Sequence, residues 1–263
     1  MSIFEGLILG ILQGLTEFIP VSSSGHLVLG QELLGLQTSP TFDALVNLGT
    51  FLALVVYFRK RLIDIAVRVF TKHDTRLVRN LFISAIPVGI LGFFFSGFFE
   101  QAIIQQPLTV AIMLASLGII MIVIDKLPKM SELKAEDQLS GWRALFIGAA
   151  QAIALIPGTS RSGSTMVAGR LAGLSFQQAA EYSFLLSIPV MAGVLLKSLL
   201  GSQGQAFISA NLGAFVVSNI AAFVCGLFAV GFMLRFLAKG NFKIFGYYRL
   251  ALAAVIFATL LFV

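Results

Sequence analysis

Long apolar runs alternate with short polar stretches along the whole chain. The runs lie at residues 3–19, 42–58, 80–99, 108–124, 144–157, 164–174, 179–196, 211–234 and 246–263. They lack the strict apolar–polar alternation of membrane β-barrel strands. Helices satisfy their own backbone hydrogen bonds in lipid, so we expect the runs to be helical. The pattern predicts an all-α polytopic membrane protein.

The composition excludes the common classes of soluble protein. Of the 263 residues, 58% are hydrophobic and only 11% are charged, whereas a soluble domain carries about 25% charged residues. The mean hydropathy is +0.96. A cytosolic enzyme, a disordered chain and a nucleic-acid module do not fit these values. The single cysteine, Cys225, also excludes a disulfide framework and a thiolate metal site.

The basic residues predict which side of the membrane each loop faces. The first 58 residues contain no Lys or Arg, and residues 59–79 contain seven, so this stretch is expected to be cytoplasmic. Two later basic stretches are assigned to the same side. They contain Lys126, Lys129, Lys134 and Arg143, and Arg235, Lys239, Lys243 and Arg249. The turn around Glu100 and the loop at 198–210 are then expected outside.

Two segments do not fit as simple crossings in this scheme. Residues 1–41 have to begin and end outside, and residues 144–178 have to begin and end inside. Each contains short apolar halves separated by Pro, Gly and Ser. We predict two re-entrant helical hairpins that enter from opposite faces, with about six transmembrane helices, in one membrane domain over 1–263. The alternative is that one or both segments cross fully.

An internal repeat supports the hairpins. Residues 13–26 resemble residues 151–165, and residues 82–88 resemble 184–190, in the same order in both halves. The inferred orientations are opposite, which is typical of inverted-topology repeats with a polar site near the midplane. We therefore predict one repeat at about 1–125 and a second at about 143–263. Chance similarity between apolar segments is the competing explanation.

Five ionisable residues fall within the apolar zone. They are Glu17, His26, Arg161, Arg170 and Glu181. A charge in hydrocarbon costs at least about 2.5–3.5 kcal/mol on insertion scales, so such residues are functional candidates. The first three lie in the repeated motifs, whereas structural use is expected for the other two.

Both motifs have the pattern of a helix, a break and a new helix N-terminus. Gln13 and Glu17 are four residues apart, so they share a helix face. The breaks at 20–26 and 157–165 are rich in small polar residues. A helix N-terminus with hydroxyl donors and an Arg favours an anion, above all phosphate. Packing or capping is the alternative role for the serines.

These groups suit phosphoryl transfer. Arg161 and the helix N-terminus would neutralise phosphoryl oxygens, and Ser23 or His26 would supply the nucleophile. Glu17 would act as a base or as a ligand of a divalent ion. An anion transporter with the same architecture is equally compatible with the spacing.

At these motifs the sequence closely resembles the undecaprenyl-diphosphate phosphatases of the bacitracin-resistance type. That family carries Glu/Gln-x-x-x-Glu, then Pro-Val-Ser-Ser-x-Gly-His, and later Pro-Gly-x-Ser-Arg-Ser-x-x-Thr. Here these motifs occupy residues 13–17, 20–26 and 157–165. The likeness extends over nearly the whole chain. Gln13 is an accepted variant that leaves one carboxylate in the first motif.

The resemblance implies a bacterial inner-membrane enzyme with inverted repeats and paired re-entrant helices. It would hydrolyse undecaprenyl diphosphate to undecaprenyl phosphate and phosphate, recycle the carrier for peptidoglycan synthesis and thereby give bacitracin resistance. A flippase for undecaprenyl phosphate or another anion is the alternative. The expected partners are the polyprenyl diphosphate and membrane lipids, without nucleic acid, and a homodimer is left open. The charge argument places the active site at the outer, periplasmic side.

The family's roles carry over to matching positions of this chain. Catalytic roles fall on Glu17, His26, Ser23 and Arg161, and substrate-binding roles on Gln13, Ser22, Ser160, Ser162 and Thr165. The family requires Mg²⁺ or Ca²⁺, and Glu17 is the expected metal ligand. Whether Ser23, His26 or water attacks stays open, with Ser23 favoured.

Overall fold

A computed structural model describes residues 1–37, 39–95, 106–126, 133 and 135–261. Within these ranges the regular structure is helical, with a 3-10 turn at Glu136–Gln138 and no strand. The helices are α1 (Ile3–Thr16), α2 (Ser23–Leu33), α3 (Pro40–Leu45), α4 (Asn47–Tyr57), α5 (Arg59–Lys72), α6 (Arg76–Phe94), α7 (Pro107–Ile124), α8 (Gly141–Ile153), α9 (Arg161–Leu171), α10 (Phe176–Leu200), α11 (Ser202–Ala210), α12 (Leu212–Leu237) and α13 (Lys243–Leu261). The predictions for Glu100, Lys129 and Lys134 lie outside the described residues.

Six helical stretches among the described residues are long and apolar enough to cross a membrane. They are Pro40–Tyr57, Arg76–Phe94, Pro107–Ile124, Phe176–Leu200, Leu212–Leu237 and Lys243–Leu260. This confirms the prediction of an all-α polytopic membrane protein with about six spanning helices. Large apolar side chains cover the outside of these helices, such as Phe82, Phe93 and Phe228, which are each more than half exposed. That surface suits contact with lipid.

The two segments that did not fit as crossings each form a pair of short helices. In the first, α1 has 14 residues and α2 has 11. In the second, α8 has 13 residues and α9 has 11. At about 1.5 Å per residue none of them spans the ~30 Å hydrocarbon core alone. The re-entrant arrangement and the inverted repeat stay predictions.

The proposed match between residues 82–88 and 184–190 is wrong, because the two segments lie in helices that do not occupy the same place in the helix order of the two halves. Residues 82–88 lie in α6, the second long helical stretch after the first short pair. Residues 184–190 lie in α10, the first long stretch after the second short pair. The two segments share a proline inside a helix, Pro87 and Pro189, rather than an equivalent place in the fold.

Glycine stripes let the short helices lie close to long ones. A Cβ at Gly10 would come within 2.2 Å of the Ser218 carbonyl oxygen of α12. In the second half, a Cβ at Gly148 would come within 2.4 Å of the Ser84 carbonyl oxygen of α6. Small residues at such positions are the usual means of close helix contact in membranes. Each short pair is therefore held against a spanning helix by backbone-to-backbone packing.

The first basic stretch folds into α5, a helix that the sequence analysis did not predict. No residue of α5 is buried. Arg61 forms ion pairs with Glu136 at 3.3 Å and with Glu181 at 3.4 Å. Glu181 therefore serves a charge network at the expected cytoplasmic end, which agrees with the structural role predicted for it. Just after α5, hydrogen bonds from Arg76 hold the pKa of the Asp74 carboxyl below its ordinary value.

Arg249 corrects the orientation argument. It was assigned to a cytoplasmic basic loop, but it lies inside α13 and is fully buried. The error arose because its basic neighbours, Arg235, Lys239 and Lys243, lie at helix ends or in the turn between α12 and α13. The remaining three basic residues still mark that loop.

Candidate active site

The first helix break is built from the end of α1 and the start of α2. Glu17 is the C-cap of α1, and Ser22 is the N-cap of α2 in the left-handed conformation, with φ of 75°. The Gly25 backbone N–H donates to Ser22 Oγ at 3.4 Å, a normal capping contact. The cap turns the chain sharply, so Ser23 faces back toward the carboxylate at the end of α1.

The second break repeats this local geometry between α8 and α9. Ser160 is the N-cap of α9 with φ of 72°, and the Gly163 N–H donates to its hydroxyl at 3.1 Å. Gly158 has φ of 89°, a conformation that glycine adopts without steric cost. Ser160 Oγ lies 3.3 Å from Ser162 Oγ, as Ser22 Oγ lies 3.2 Å from Ser24 Oγ in the first break. The two motifs thus fold alike.

Glu17 joins the two breaks. Its Oε1 pairs with Arg161 Nη2 of the second break. Its Oε2 accepts a hydrogen bond of 2.5 Å from Ser23 Oγ of the first break. Its backbone carbonyl accepts from Ser162 Oγ at 3.2 Å. The structure thus brings together four of the predicted site residues, on segments far apart in the sequence.

Gln13 completes this cluster from the side of α1. Its Nε2 donates to Glu17 Oε2 at 3.0 Å and to Asn47 Oδ1 of α4 at 3.0 Å. Gln13 is 1% exposed, and its Oε1 has no hydrogen-bond partner among the described residues. A buried amide oxygen left without a donor costs about 1–3 kcal/mol. Such an unpartnered oxygen is expected at a binding site, where a bound ligand supplies the missing hydrogen-bond donor or cation.

His26 lies in the first break but is not bonded to Glu17. Its Nδ1 is 2.7 Å from the Ser22 carbonyl oxygen, and its Nε2 is 2.6 Å from the Tyr248 hydroxyl of α13. The two rings stack with an interplanar angle of 8°. Since a carbonyl only accepts, Nδ1 carries a proton, and in the neutral ring Nε2 then accepts from the Tyr248 hydroxyl. Sequence reasoning missed Tyr248, which has no local motif.

The other predicted binding residues lie behind the cluster. Thr165 Oγ1 is bonded to the Arg161 carbonyl oxygen at 2.9 Å and to Ser183 Oγ at 2.6 Å. Thr165 is 1% exposed. It therefore supports the turn that presents Arg161, and it links α9 to α10. Ser160 and Ser22 act through capping, and Ser23 is the hydroxyl of the first break that meets Glu17.

The cluster offers oxygen ligands suited to a hard cation. Within the described part of the chain, no group of three or more His, Cys, Asp or Glu side chains is placed so that it could hold a metal ion. Glu17 supplies a carboxylate, and Gln13, whose Nε2 donates to that carboxylate, also carries the unpartnered Oε1. Mg²⁺ is commonly held by one or two carboxylates together with substrate phosphates and water. These residues therefore fit a divalent ion whose coordination a phosphate ligand would complete.

The arrangement combines the parts that phosphoryl transfer needs. Ser23 is a hydroxyl in short contact with a carboxylate, which is how a nucleophile meets its base. Within the described residues, the side-chain hydrogen bonds of Arg161 go to Glu17 alone, through Nη2. Its other N–H groups remain for phosphoryl oxygens. The N-terminal ends of α2 and α9 meet here, and their dipoles also favour an anion.

Comparison with known proteins gives matches over nearly the whole chain. A sequence model of the family described as "Bacitracin resistance protein BacA" matches residues 6–255. The undecaprenyl-diphosphatase of Caldicellulosiruptor bescii is 40% identical over 263 residues, which cover 98% of this chain and 97% of the relative. That of Rubrobacter xylanophilus is 37% identical, with 99% of each chain covered. Undecaprenyl-diphosphatase 1 of Clostridioides difficile is 39% identical over 98% of this chain and 96% of the relative.

Proposed function

The chain belongs to the BacA family of bacitracin resistance proteins, and on that basis we propose that it hydrolyses undecaprenyl diphosphate. The products are undecaprenyl phosphate and inorganic phosphate, so the reaction returns the lipid carrier to cell-wall synthesis. Bacitracin resistance follows from the same activity. The relatives named undecaprenyl-diphosphatase support this assignment.

The observation that carries the proposal is the shared carboxylate of Glu17. It contacts a serine hydroxyl from one helix break and an arginine from the other. A pure carrier needs an anion site, but it has no use for a hydroxyl aligned on a base. The geometry therefore favours hydrolysis over transport.

In the proposed reaction Ser23 Oγ attacks the terminal phosphorus of the diphosphate. Glu17 takes the hydroxyl proton, the anhydride P–O bond breaks, and undecaprenyl phosphate leaves with the bonding electrons. Water then cleaves the phosphoserine and releases inorganic phosphate. Arg161 and the ends of α2 and α9 stabilise the negative charge that develops on the phosphoryl oxygens.

A divalent ion belongs to this proposal as well. Glu17 and Gln13 Oε1 would hold Mg²⁺ or Ca²⁺, which supplies further charge neutralisation on the diphosphate when bound. The single carboxylate suits an ion that depends on the substrate for part of its coordination.

We further propose that the protein resides in the inner membrane and that the site opens to the outer side, since the first hairpin lacks basic residues.

The test is release of inorganic phosphate from undecaprenyl diphosphate by the purified protein in detergent, where transport has no meaning. With Mg²⁺ or Ca²⁺ present we expect steady release, and with EDTA we expect none. No release with either ion would contradict the enzyme assignment and leave the carrier. Acid quenching during turnover and peptide mapping should place the trapped phosphoryl group on Ser23; a phosphohistidine at His26 would exclude attack by serine.

A further inference from the structure

Arg249 is a buried charge without a carboxylate partner among the described residues. It is 0% exposed in α13. Its guanidinium donates to five backbone carbonyl oxygens, at distances of 2.9–3.3 Å. A buried arginine is costly in a membrane protein, and where it persists it commonly has a function.

The five carbonyl groups belong to the two helix breaks and to α7. Nη1 donates to the Pro20 oxygen in the first break at 3.3 Å. Nη2 donates to Gly158 and Thr159 in the second break at 2.9 and 3.0 Å. The remaining bonds go to α7, to Met113 and Leu114. One side chain thus fastens both breaks to a spanning helix.

Glycines bring Arg249 within reach of the breaks. A Cβ at Gly118 of α7 would lie 3.0 Å from the Gly246 carbonyl oxygen of α13 and 3.2 Å from Arg249 Cβ. A Cβ at Gly158 would lie 2.5 Å from the Val110 carbonyl oxygen of α7. Helices α7 and α13 therefore cross closely, and the second break rests directly on α7. The guanidinium fills the space where these three segments meet.

We propose that Arg249 is a positioning residue for the reaction, an inference that rests on the proposed function. Pro20 is three residues from Glu17, and Thr159 is two residues from Arg161. A shift of either break therefore moves the carboxylate relative to the guanidinium and to Ser23. Misplacement of reacting groups by 1 Å can cost about 10²-fold in rate. Arg249 acts through the carbonyl groups and does not touch the substrate.

The kinetic test compares Arg249→Met, Arg249→Lys and Arg170→Met with the wild type in the phosphate-release assay. We expect Arg249→Met to lower kcat by about 10²-fold and to change KM by less than about fivefold, because the groups are present but misaligned. Arg249→Lys keeps a charge and fewer donors, so it should recover part of kcat. Wild-type kcat in Arg249→Met would overturn the proposal.

Arg170→Met is the matched control for loss of a buried arginine. Arg170 donates to the Leu174 oxygen at 3.0 Å and lies 4.7 Å from the Phe176 ring centroid, at the far end of α9. The Arg170→Met variant should have a lower thermal midpoint than the wild type, and its kcat should stay within about threefold of the wild-type value. An equal loss of kcat in Arg170→Met would mean that the effect of Arg249 is general destabilisation, and would contradict positioning.

Hydrogen–deuterium exchange gives a readout that does not depend on activity. In Arg249→Met, or in Arg249→Lys if the first variant does not fold, peptides over 18–26 and 156–163 should exchange faster in both breaks. In Arg170→Met the peptide over 18–26 should be unchanged. If exchange were unchanged in both breaks of the Arg249 variants, the proposal that Arg249 holds the breaks in position would be wrong. If the wild type releases no phosphate, the proposed function fails, and exchange alone decides whether Arg249 braces the breaks.

Discussion

At the scale of single residues, the proposed site depends on the hydrogen-bond and ion-pair partners of the Glu17 carboxylate. A carboxylate in a membrane protein is stabilised by donors, and here Ser23, Gln13 and Arg161 supply them. Arg161 is 144 positions away in the sequence. The pairing gives the buried Glu17 carboxylate an opposite charge before substrate binds, which offsets part of its desolvation cost. It also places each group where a diphosphate would need it.

Replacing Glu17 by Gln should abolish most activity without unfolding the protein. The amide keeps the shape of the side chain but cannot accept the Ser23 proton, so we expect kcat to fall by about 10³-fold. Glu32→Gln is the matched control, because Glu32 is an exposed carboxylate on α2 of the same hairpin. Phosphate release at saturating substrate measures both. Activity of Glu17→Gln near that of the control would remove Glu17 from the mechanism.

Arg161→Lys tests the planar donor fork rather than the charge. Lysine keeps one positive charge but not the bidentate geometry for phosphoryl oxygens, so kcat/KM should fall by about 10–100-fold. Arg161→Met removes both and should lose more. Steady-state kinetics distinguish the two variants. If Arg161→Lys were fully active, a positive charge alone would be sufficient, and the paired N–H donors of the guanidinium would have no role.

The sequence predicts which residues form the cluster, but it does not predict the hydrogen bonds and ion pairs between them. Charge in an apolar run identified Glu17, His26 and Arg161. The same signal was present at Arg249, but its position beside a basic loop led to the wrong assignment. Tyr248 carries no such signal, because tyrosine is common near membrane interfaces. Its contact with His26 spans 222 positions and depends on how α13 packs.

At the scale of elements, the short helices are held by backbone contact rather than by length. Gly6, Gly10 and Gly14 of α1 each lie against backbone atoms of α12. Their spacing of four residues puts them on one face of α1, a small-residue pattern that the sequence analysis did not use. The partner helix could not be predicted, because any spanning helix with small residues would fit. The two short pairs and the six spans follow from apolar run lengths, whereas α5 and α11 were missed in polar or mixed segments.

Gly10→Ala should destabilise the first hairpin. The new methyl group would meet the Ser218 backbone oxygen at 2.2 Å, which cannot move aside as a side chain would. We expect a cost of about 1–3 kcal/mol, as for overpacking in a core. Gly89→Ala in α6 is the control, because nothing lies within 4 Å of its Cβ position. Thermal midpoints in detergent measure both, and equal midpoints would contradict close packing of α1 on α12.

At the scale of the whole molecule, the two halves meet at one polar site within an apolar body. Packing of α1 on α12 and of α8 on α6 brings the first half against the second and holds each break near the other. Arg249 then joins both breaks to α7. The charge pattern of the loops gives the expected orientation, with α5 on the cytoplasmic side and the first hairpin opening outward.

Cysteine labelling tests that orientation. In a Cys225→Ser background, Ser2→Cys precedes α1 and Asp74→Cys lies between α5 and α6. A membrane-impermeant maleimide added to intact cells should modify position 2 and spare position 74, while both react after permeabilisation. Labelling of position 74 alone in intact cells would reverse the orientation and move the mouth of the site to the cytoplasm.

The central claim is that the two helix breaks form a single active site around Glu17. A double-mutant cycle on kcat for phosphate release tests it, with Ser23→Ala from the first break and Arg161→Met from the second. Residues that act as a unit are strongly non-additive, so the double variant should lose at least about tenfold less than the product of the single losses. Losses that multiply to within about twofold would mean that Ser23 and Arg161 act independently, and would contradict the shared site.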